Sequence, residues 1–228
     1  MRHDTRVFSY LQMRKGNDRS QTDVYAGYGP SHYFAGGTVS KRILIVGGTG
    51  MLATVALFFA KAGDAVFVVA RSGDALNDLV RRALDLDGSI NPIPVDYRQT
   101  EILAERLFDA QSHAGGFDCV ITWVHSTAPE ANHAIRRVVA NSVERPVPYF
   151  RILGSNHASE LEHCESMEKI MDRTIRLGYA VNDAGPRWLR WGEISSGVIR
   201  AVESDSPETV IGTWPIGEAA RHVLESDV

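Results

Sequence analysis

Short apolar runs alternate with longer amphipathic segments along most of this chain, from residue 41 onward. The runs are rich in Ile, Val and Phe and are bounded by turn-forming residues, which is typical of buried strands. Strands are predicted at 43–46, 65–70, 90–97, 117–124, 148–155, 179–183 and 208–214. The intervening segments carry apolar residues at helical spacing, so helices are predicted at 51–62, 73–86, 100–111, 129–144, 159–177 and 191–204.

Strands separated by helices in this way indicate βαβ units and therefore a parallel sheet. We expect an α/β fold with a single doubly wound sheet of about six to seven strands and helices on both faces. The crossover connections are expected to be right-handed. One buried helical face is predicted from Leu76, Leu79, Val80 and Leu84, and another from Val198, Ile199 and Val202.

The first 38 residues show neither the two-residue period of a strand nor the 3.6-residue period of a helix. They mix glycines, charged residues and scattered aromatic residues. One interpretation is a flexible N-terminal extension before a single domain at 39–228. The other is that this segment is not native coding sequence and that Val39 is the true initiator. A peptide from residues 1–38 in the natural protein would exclude the second interpretation.

Composition narrows the class of protein. The 228 residues are 44% hydrophobic and 23% charged, with a net charge of −4 and a pI near 6.1. This charge gives no reason to expect a nucleic acid or a membrane as partner. The two cysteines, Cys119 and Cys164, do not make a disulfide framework, and Cys119 lies in an apolar run, so a reducing compartment is expected rather than secretion. We expect a cytoplasmic protein with no resident metal, since the adjacent His163 and Cys164 face different sides of a helix.

The segment "VGGTGML" joins the first predicted strand to the first predicted helix. Glycine permits a sharp turn there and lets the backbone approach a pyrophosphate, while the helix N-terminus offers main-chain N–H groups to the anion. A strand before it, a helix after it and a second strand beyond are the context of a Rossmann-type dinucleotide site. The predicted cofactor-binding residues are Gly47, Gly48, Thr49, Gly50, Met51 and Leu52.

The second predicted strand ends in "VVARSG", with no acidic residue to bind a ribose 2′-hydroxyl. A cation at Arg71 beside the hydroxyl of Ser72 suits a 2′-phosphate instead. The sequence therefore predicts NADP(H) as cofactor, with NAD(H) less favoured.

Together with "VDYRQTEIL" after the third strand, these motifs resemble the short-chain dehydrogenase/reductase superfamily over roughly residues 41–182. The resemblance implies that Asp96, with the backbone of Tyr97, holds the adenine amino group. It also places 123–126 against the cofactor ribose, although this chain has "WVHS" where the family has Asn-Asn-Ala-Gly.

The family's catalytic residues match only in part. The resemblance assigns the catalytic serine to Ser155 and the lysine to Lys169, on the predicted helix 159–177. Glu165 stands four residues before that lysine, so the Tyr-x-x-x-Lys motif is missing. His125, at the end of the fourth strand, is the alternative proton donor, because an imidazole titrates near neutral pH.

Three functions remain open on this basis: a reductase of a small carbonyl or imine, a non-catalytic NADP(H)-binding sensor, or an interaction protein with a vestigial site. In the C-terminal part, Trp188 and Trp191 are candidates to wall a substrate, with Arg187 or Arg190 binding a carboxylate. Capping of the sheet edge is the alternative role for these residues. Since the chain stops early, the pocket is expected to be open or completed by a second subunit of a homo-oligomer.

Overall fold

The computed structural model describes residues 40–125, 128–154, 166–183 and 185–214, so the predicted extension at 1–38 lies outside it. The described elements are, in chain order, β1 (Arg42–Val46), α1 (Ala53–Lys61), β2 (Ala65–Ala70), α2 (Gly73–Arg82), β3 (Ser89–Pro94), α3 (Thr100–Ala114), β4 (Cys119–Thr122), α4 (Pro129–Ser142), β5 (Val147–Leu153), β6 (Ile170–Leu177), β7 (Tyr179–Asn182), β8 (Gly185–Trp188), α5 (Trp191–Ser204) and β9 (Glu208–Ile211).

Seven strands form one parallel sheet in the order β3-β2-β1-β4-β5-β6-β9. The chain runs outward from β1 in one direction through β2 and β3, then returns to β4 and runs outward in the other. The crevice at the carboxyl ends of β1 and β4 is therefore the topological switch point, where ligands bind in such sheets. The predicted α/β class, with a Rossmann-type doubly wound sheet, is confirmed.

Helices cover both faces of the sheet. On one face α1, α2 and α5 pack on alternate strand residues such as Ile43 and Ile45, and on the other α3 and α4 pack on Leu44 and Val46. These four β1 residues are fully buried, and each stabilises the fold by roughly 1.5–3 kcal/mol. Cys119 belongs to the first face, and burial raises the pKa of its thiol, as expected of an inert cysteine.

One crossover differs in hand from the expected rule. The steps from β4 to β5 and from β6 to β9 run in the same direction across the sheet. The first passes through α4 on one face, whereas the second passes through α5 on the opposite face, beside α1. The two connections therefore have opposite hands, and the last one is left-handed. This exception places α5 next to the start of α1.

The predicted helix at 159–177 is wrong over its described part, because residues 170–177 form β6. β6 pairs in parallel with β5 on one side and β9 on the other. The charged residues of this strand are the reason that a helix was predicted there. Asp172 pairs with Arg136, Arg173 with Asp205 and Arg176 with Glu208, so they are satisfied by neighbouring elements inside a sheet.

The predicted strand at 179–183 exists, but not in the main sheet. β7 pairs antiparallel with β8 in a separate hairpin, which follows directly from the end of β6. The helix predicted at 73–86 ends earlier, at Arg82, and Leu84 beyond it is 65% exposed. The predicted face of α5 is confirmed, since Val198, Ile199 and Val202 are buried.

Candidate functional site at the carboxyl edge of the sheet

Gly47 and Gly48 shape the turn after β1. Gly47 has φ +80°, and a Cβ there would lie 2.6 Å from the Trp123 carbonyl oxygen. A Cβ at Gly48 would lie 2.5 Å from Cγ1 of Val68. The N–H groups of both glycines point to the Val69 carbonyl, at 3.0 and 3.4 Å. These two predicted cofactor residues thus serve the packing of β1 against its neighbours.

Gly50 is different, because a Cβ at this position would have no atom within 4 Å. The space beside it is open, and the packing of the protein does not itself require glycine there. Within the described residues, no acceptor bonds the main-chain N–H groups of residues 49–52. α1 starts at Ala53 with neither a side-chain cap nor an acidic residue in its first turn. An open cradle with free N–H groups at a helix N-terminus fits an anion such as a pyrophosphate.

Arg71 and Ser72 lie at the carboxyl end of β2, both exposed. Ser72 is the N-cap of α2, and its Oγ accepts the Ala75 N–H at 3.2 Å. Arg71 forms no hydrogen bond or ion pair with the described residues, so its guanidinium is available to a ligand. The predicted pair is therefore split: Ser72 caps the helix, and Arg71 is an exposed cation at the strand end.

Asp96 follows β3, and Arg98 binds both oxygens of its carboxylate. The hydrogen bonds from Arg98 are the main reason that the pKa of Asp96 falls to about 2, and the positive charge of Arg71 adds to the effect. Arg71, Arg98 and Asp96 thus share one corner of the site. The sequence analysis missed Arg98, although a cation two residues after a ligand-binding aspartate is a signal for such a pair.

The end of β4 reaches the same edge. The Trp123 carbonyl abuts Gly47, and the exposed His125 follows two residues later. The His125 N–H donates to the Tyr97 hydroxyl at 3.4 Å. The imidazole ring of His125 packs edge-on against the Trp123 ring, with 6.3 Å between the ring centroids. The fold therefore brings His125 and Tyr97 together beside the glycine turn.

The two other predicted catalytic residues have different outcomes. Ser155 and also Ser126 lie outside the described residues, although Ser155 comes just after β5 and Gly154. Lys169 is not on a helix. Its carbonyl accepts the Val147 N–H at 3.0 Å, where β5 and β6 begin. Lys169 thus lies at the amino edge of the parallel sheet, opposite the glycine turn, and its predicted placement is wrong.

The C-terminal segment leads from the β7–β8 hairpin into α5. Arg187 binds both carboxylate oxygens of Glu193 at 2.8 Å, and the Arg190 N–H donates to the same group. The hydrogen bonds from Arg187 are the largest cause that lowers the pKa of Glu193 to about 2. Arg187 is therefore engaged in holding the start of α5. Trp188 and Trp191 are 40% and 67% exposed, so they stand open to solvent.

Ser195 was not predicted to contribute to the site. It is 1% exposed in α5, and its hydroxyl donates to the Met51 carbonyl in the glycine turn at 2.7 Å. A serine in the apolar face of an amphipathic helix is the sequence signal that could have revealed it, because buried hydroxyls need a partner.

The described part of the chain shows neither a metal-ligating cluster nor a membrane-spanning helix. The described segments contain no cluster of three or more His, Cys, Asp or Glu that could hold a metal ion. Across the same segments, no helix has the length and apolar character needed to cross a lipid bilayer.

The order of the strands and the position of the glycine turn are those of a Rossmann-type fold, which solved short-chain dehydrogenases/reductases share. No family model matches the chain, and no curated protein matches it. Solved structures do match.

A short-chain type dehydrogenase/reductase from Mycobacterium ulcerans has a TM-score of 0.59 and 16% identity, over 75% of this chain and 89% of that one. One from Mycobacterium marinum has a TM-score of 0.58 and 20% identity, over 75% and 94%. Pseudomonas aeruginosa RhlG, solved as an active-site complex with NADP, has a TM-score of 0.57 and 17% identity, over 75% and 94%. At these identities the likeness concerns the fold.

Proposed function

We propose that this protein is an NADP(H)-dependent reductase of the short-chain type that acts on a small carbonyl or imine. The observation that carries the proposal is the open cradle at Gly50, where the N–H groups of residues 49–52 have no acceptor among the described residues. A purely structural turn would have no need of glycine at this position. The likeness in fold to RhlG, which was solved with NADP, supports a dinucleotide as the ligand.

Residues 49–52 would hold the pyrophosphate at the N-terminus of α1. Arg71 would bind the 2′-phosphate, since its guanidinium is exposed and forms no ion pair within the described part of the chain. Asp96 and Tyr97 would face the adenine. When bound, NADPH supplies the hydride for reduction of the substrate.

His125 would supply the proton to a reduced carbonyl oxygen, and Ser155 would orient that oxygen. Support comes from the position of His125 at the carboxyl end of β4, beside the switch point. An imine is the easier substrate for such a site, because it can bind already protonated. The open Trp188 and Trp191 favour a small apolar or planar substrate.

The second candidate function is an NADP(H)-binding sensor without turnover. Two observations favour it: the chain has no Tyr-x-x-x-Lys motif, and Lys169 lies at the opposite edge of the sheet. NADPH oxidation with a panel of ketones, aldehydes and cyclic imines separates the two functions. Turnover with any of these supports the reductase, whereas binding without turnover across the panel supports the sensor.

A further inference from the structure

Ser195 forms a long-range connection between the C-terminal helix and the glycine turn. Its hydroxyl donates to the Met51 carbonyl at 2.7 Å, across 144 residues of sequence. Ser195 is 1% exposed and neighbours the buried Ile194 on an otherwise apolar helix face. Since a buried hydroxyl without a partner is costly, loss of this contact would leave the Ser195 hydroxyl unsatisfied.

Two sets of contacts fix the position of α5 and so support the hydrogen bond from Ser195. Gly197 lets the helix approach β9, since a Cβ there would lie 2.5 Å from Cδ1 of Ile211. The first turn of α5 is held by Glu193, which accepts from Arg187 and from the Arg190 N–H. Ser195 lies between these two anchors.

Within the described part of the chain, no main-chain N–H of α1 donates to the Met51 carbonyl. Among the described residues, the Ala53 N–H donates to the Gly50 carbonyl and the Ala56 N–H to the Leu52 carbonyl, so neither of these bonds uses the Met51 carbonyl between them. Ser195 is thus the donor that the described structure provides for the Met51 carbonyl. In a trans peptide the C=O and the following N–H point in opposite directions. The contact therefore turns the Met51 oxygen toward α5 and the Leu52 N–H away from it.

The direction of this peptide matters to an anion. If the Met51–Leu52 peptide rotated, a carbonyl oxygen would replace an N–H group on the surface of the turn. The partial negative charge of that oxygen would repel a phosphate, whereas the N–H attracts it. A contact that fixes the peptide thus fixes the sign of the local electrostatic potential.

We propose that Ser195 is a positioning residue for the dinucleotide, because it holds the Met51–Leu52 peptide with its N–H toward the pyrophosphate. The inference rests on the proposed function, since it requires a dinucleotide in the glycine turn. It adds a residue from the last helix to a binding loop that is otherwise built near the start of the domain.

The test compares Ser195→Ala with Ser204→Ala in the full chain. Ser204 is the matched control, because it lies on the same helix and its hydroxyl donates to the Ala201 carbonyl within that helix. NADPH and NADH are titrated into each protein by calorimetry, and thermal unfolding is recorded without nucleotide. Ser195→Cys, which keeps a weak donor of similar shape, is measured in the same way and keeps the test open if the alanine variant does not fold.

Loss of one hydrogen bond that orients the loop should weaken NADPH binding roughly three- to tenfold in Ser195→Ala. Ser195→Cys should show a smaller loss, and Ser204→Ala should bind like the wild type. NMR supplies a local signature: NADPH should shift the Leu52 amide proton in the wild type and much less in Ser195→Ala, while the Ala75 amide responds equally in both.

Affinity within twofold of the wild type in Ser195→Ala would overturn the inference while leaving the proposed function standing. Equal losses in the two alanine variants would also overturn it, because the effect would then belong to the helix as a whole. If the wild type binds neither nucleotide, the proposed function fails and this inference fails with it. The wild-type titration distinguishes that case from the others.

Discussion

Arg98 grips the Asp96 carboxylate at both oxygens, with Nε 3.1 Å from Oδ1 and Nη2 2.5 Å from Oδ2. Asp96 is the residue that the family resemblance assigns to the adenine amino group. In this chain the carboxylate is already ion-paired, beside the open guanidinium of Arg71. The corner of the sheet edge after β2 and β3 therefore carries two cations and one anion.

Removal of Arg98 should release the Asp96 carboxylate. In Arg98→Ala, we expect the pKa of Asp96 to rise from about 2 toward its ordinary value of 3.8, because the main hydrogen-bond donor is lost. A pH titration followed by carboxyl-carbon NMR measures this shift. Arg81→Ala is the control, since Arg81 pairs with Asp78 on α2. An unchanged pKa of Asp96 in Arg98→Ala would contradict the ion pair.

The same pair predicts how stability responds to acid. The folded pKa of Asp96 is lowered, so its stabilising effect is complete above the ordinary pKa of 3.8 and is lost as pH falls toward about 2. Urea unfolding across this range should show a steeper loss of stability with falling pH in the wild type than in Arg98→Ala. Parallel curves for the two proteins would show that the pair does not contribute.

Two glycines of the turn should separate stability from binding. Gly47→Ala places a Cβ against the Trp123 carbonyl at positive φ, and should destabilise the fold by roughly 1–3 kcal/mol. Gly50→Ala meets no protein atom and should change the free energy of unfolding by no more than about 0.5 kcal/mol.

Yet Gly50→Ala should lower dinucleotide affinity roughly tenfold or more, because the methyl group enters the space of the phosphate. Chemical denaturation and nucleotide titration of both variants make the comparison. Full affinity in a stable Gly50→Ala protein would show that the open cradle is not the binding site.

Arg71 should determine the preference between the two nucleotides. Arg71→Asp replaces an exposed cation by an anion at the end of β2, and should weaken NADPH binding roughly tenfold or more while changing NADH binding far less. Arg82→Asp, at the other end of α2, controls for the change in overall charge. Equal losses for both nucleotides would remove Arg71 from the 2′-phosphate role.

The catalytic proposal separates His125 from Lys169. With a substrate that is turned over, His125→Gln should lower kcat roughly 100-fold, because the proton donor is removed. Lys169→Gln should stay within twofold of the wild type, since this residue lies at the amino edge of the sheet. Steady-state kinetics on both variants tests this, and a large loss of kcat in the Lys169 variant would contradict the placement.

The alternation of apolar runs and helical segments was enough to predict where the first five strands and the glycine turn lie along the chain. Three of them, β1, β2 and β4, are nearly continuous apolar runs, a pattern that is typical of buried parallel strands. β6 could not be predicted in the same way, because Asp172, Arg173 and Arg176 are satisfied by partners far away in sequence. Because a helix was predicted for that segment, Lys169 was also placed wrongly, on a helix rather than at the amino edge of the sheet.

Contacts between distant side chains were equally beyond the sequence. The Ser195–Met51 hydrogen bond depends on a left-handed crossover that places α5 beside α1, whereas the general rule favours the other hand. By contrast, the switch point and its glycine turn follow from local chemistry and strand order. The position of the glycine turn at the switch point was therefore predictable, whereas the hydrogen bond from α5 that supports it was not.

Titration of the full chain with NADPH and with NADH tests the central claim most directly. An open turn whose N–H groups have no acceptor among the described residues, and an Arg71 without an ion pair in the same part of the chain, predict saturable binding of NADPH, tighter than that of NADH, with one nucleotide per chain. Absence of binding by either nucleotide at millimolar concentration would contradict the assignment of this edge of the sheet as a dinucleotide site.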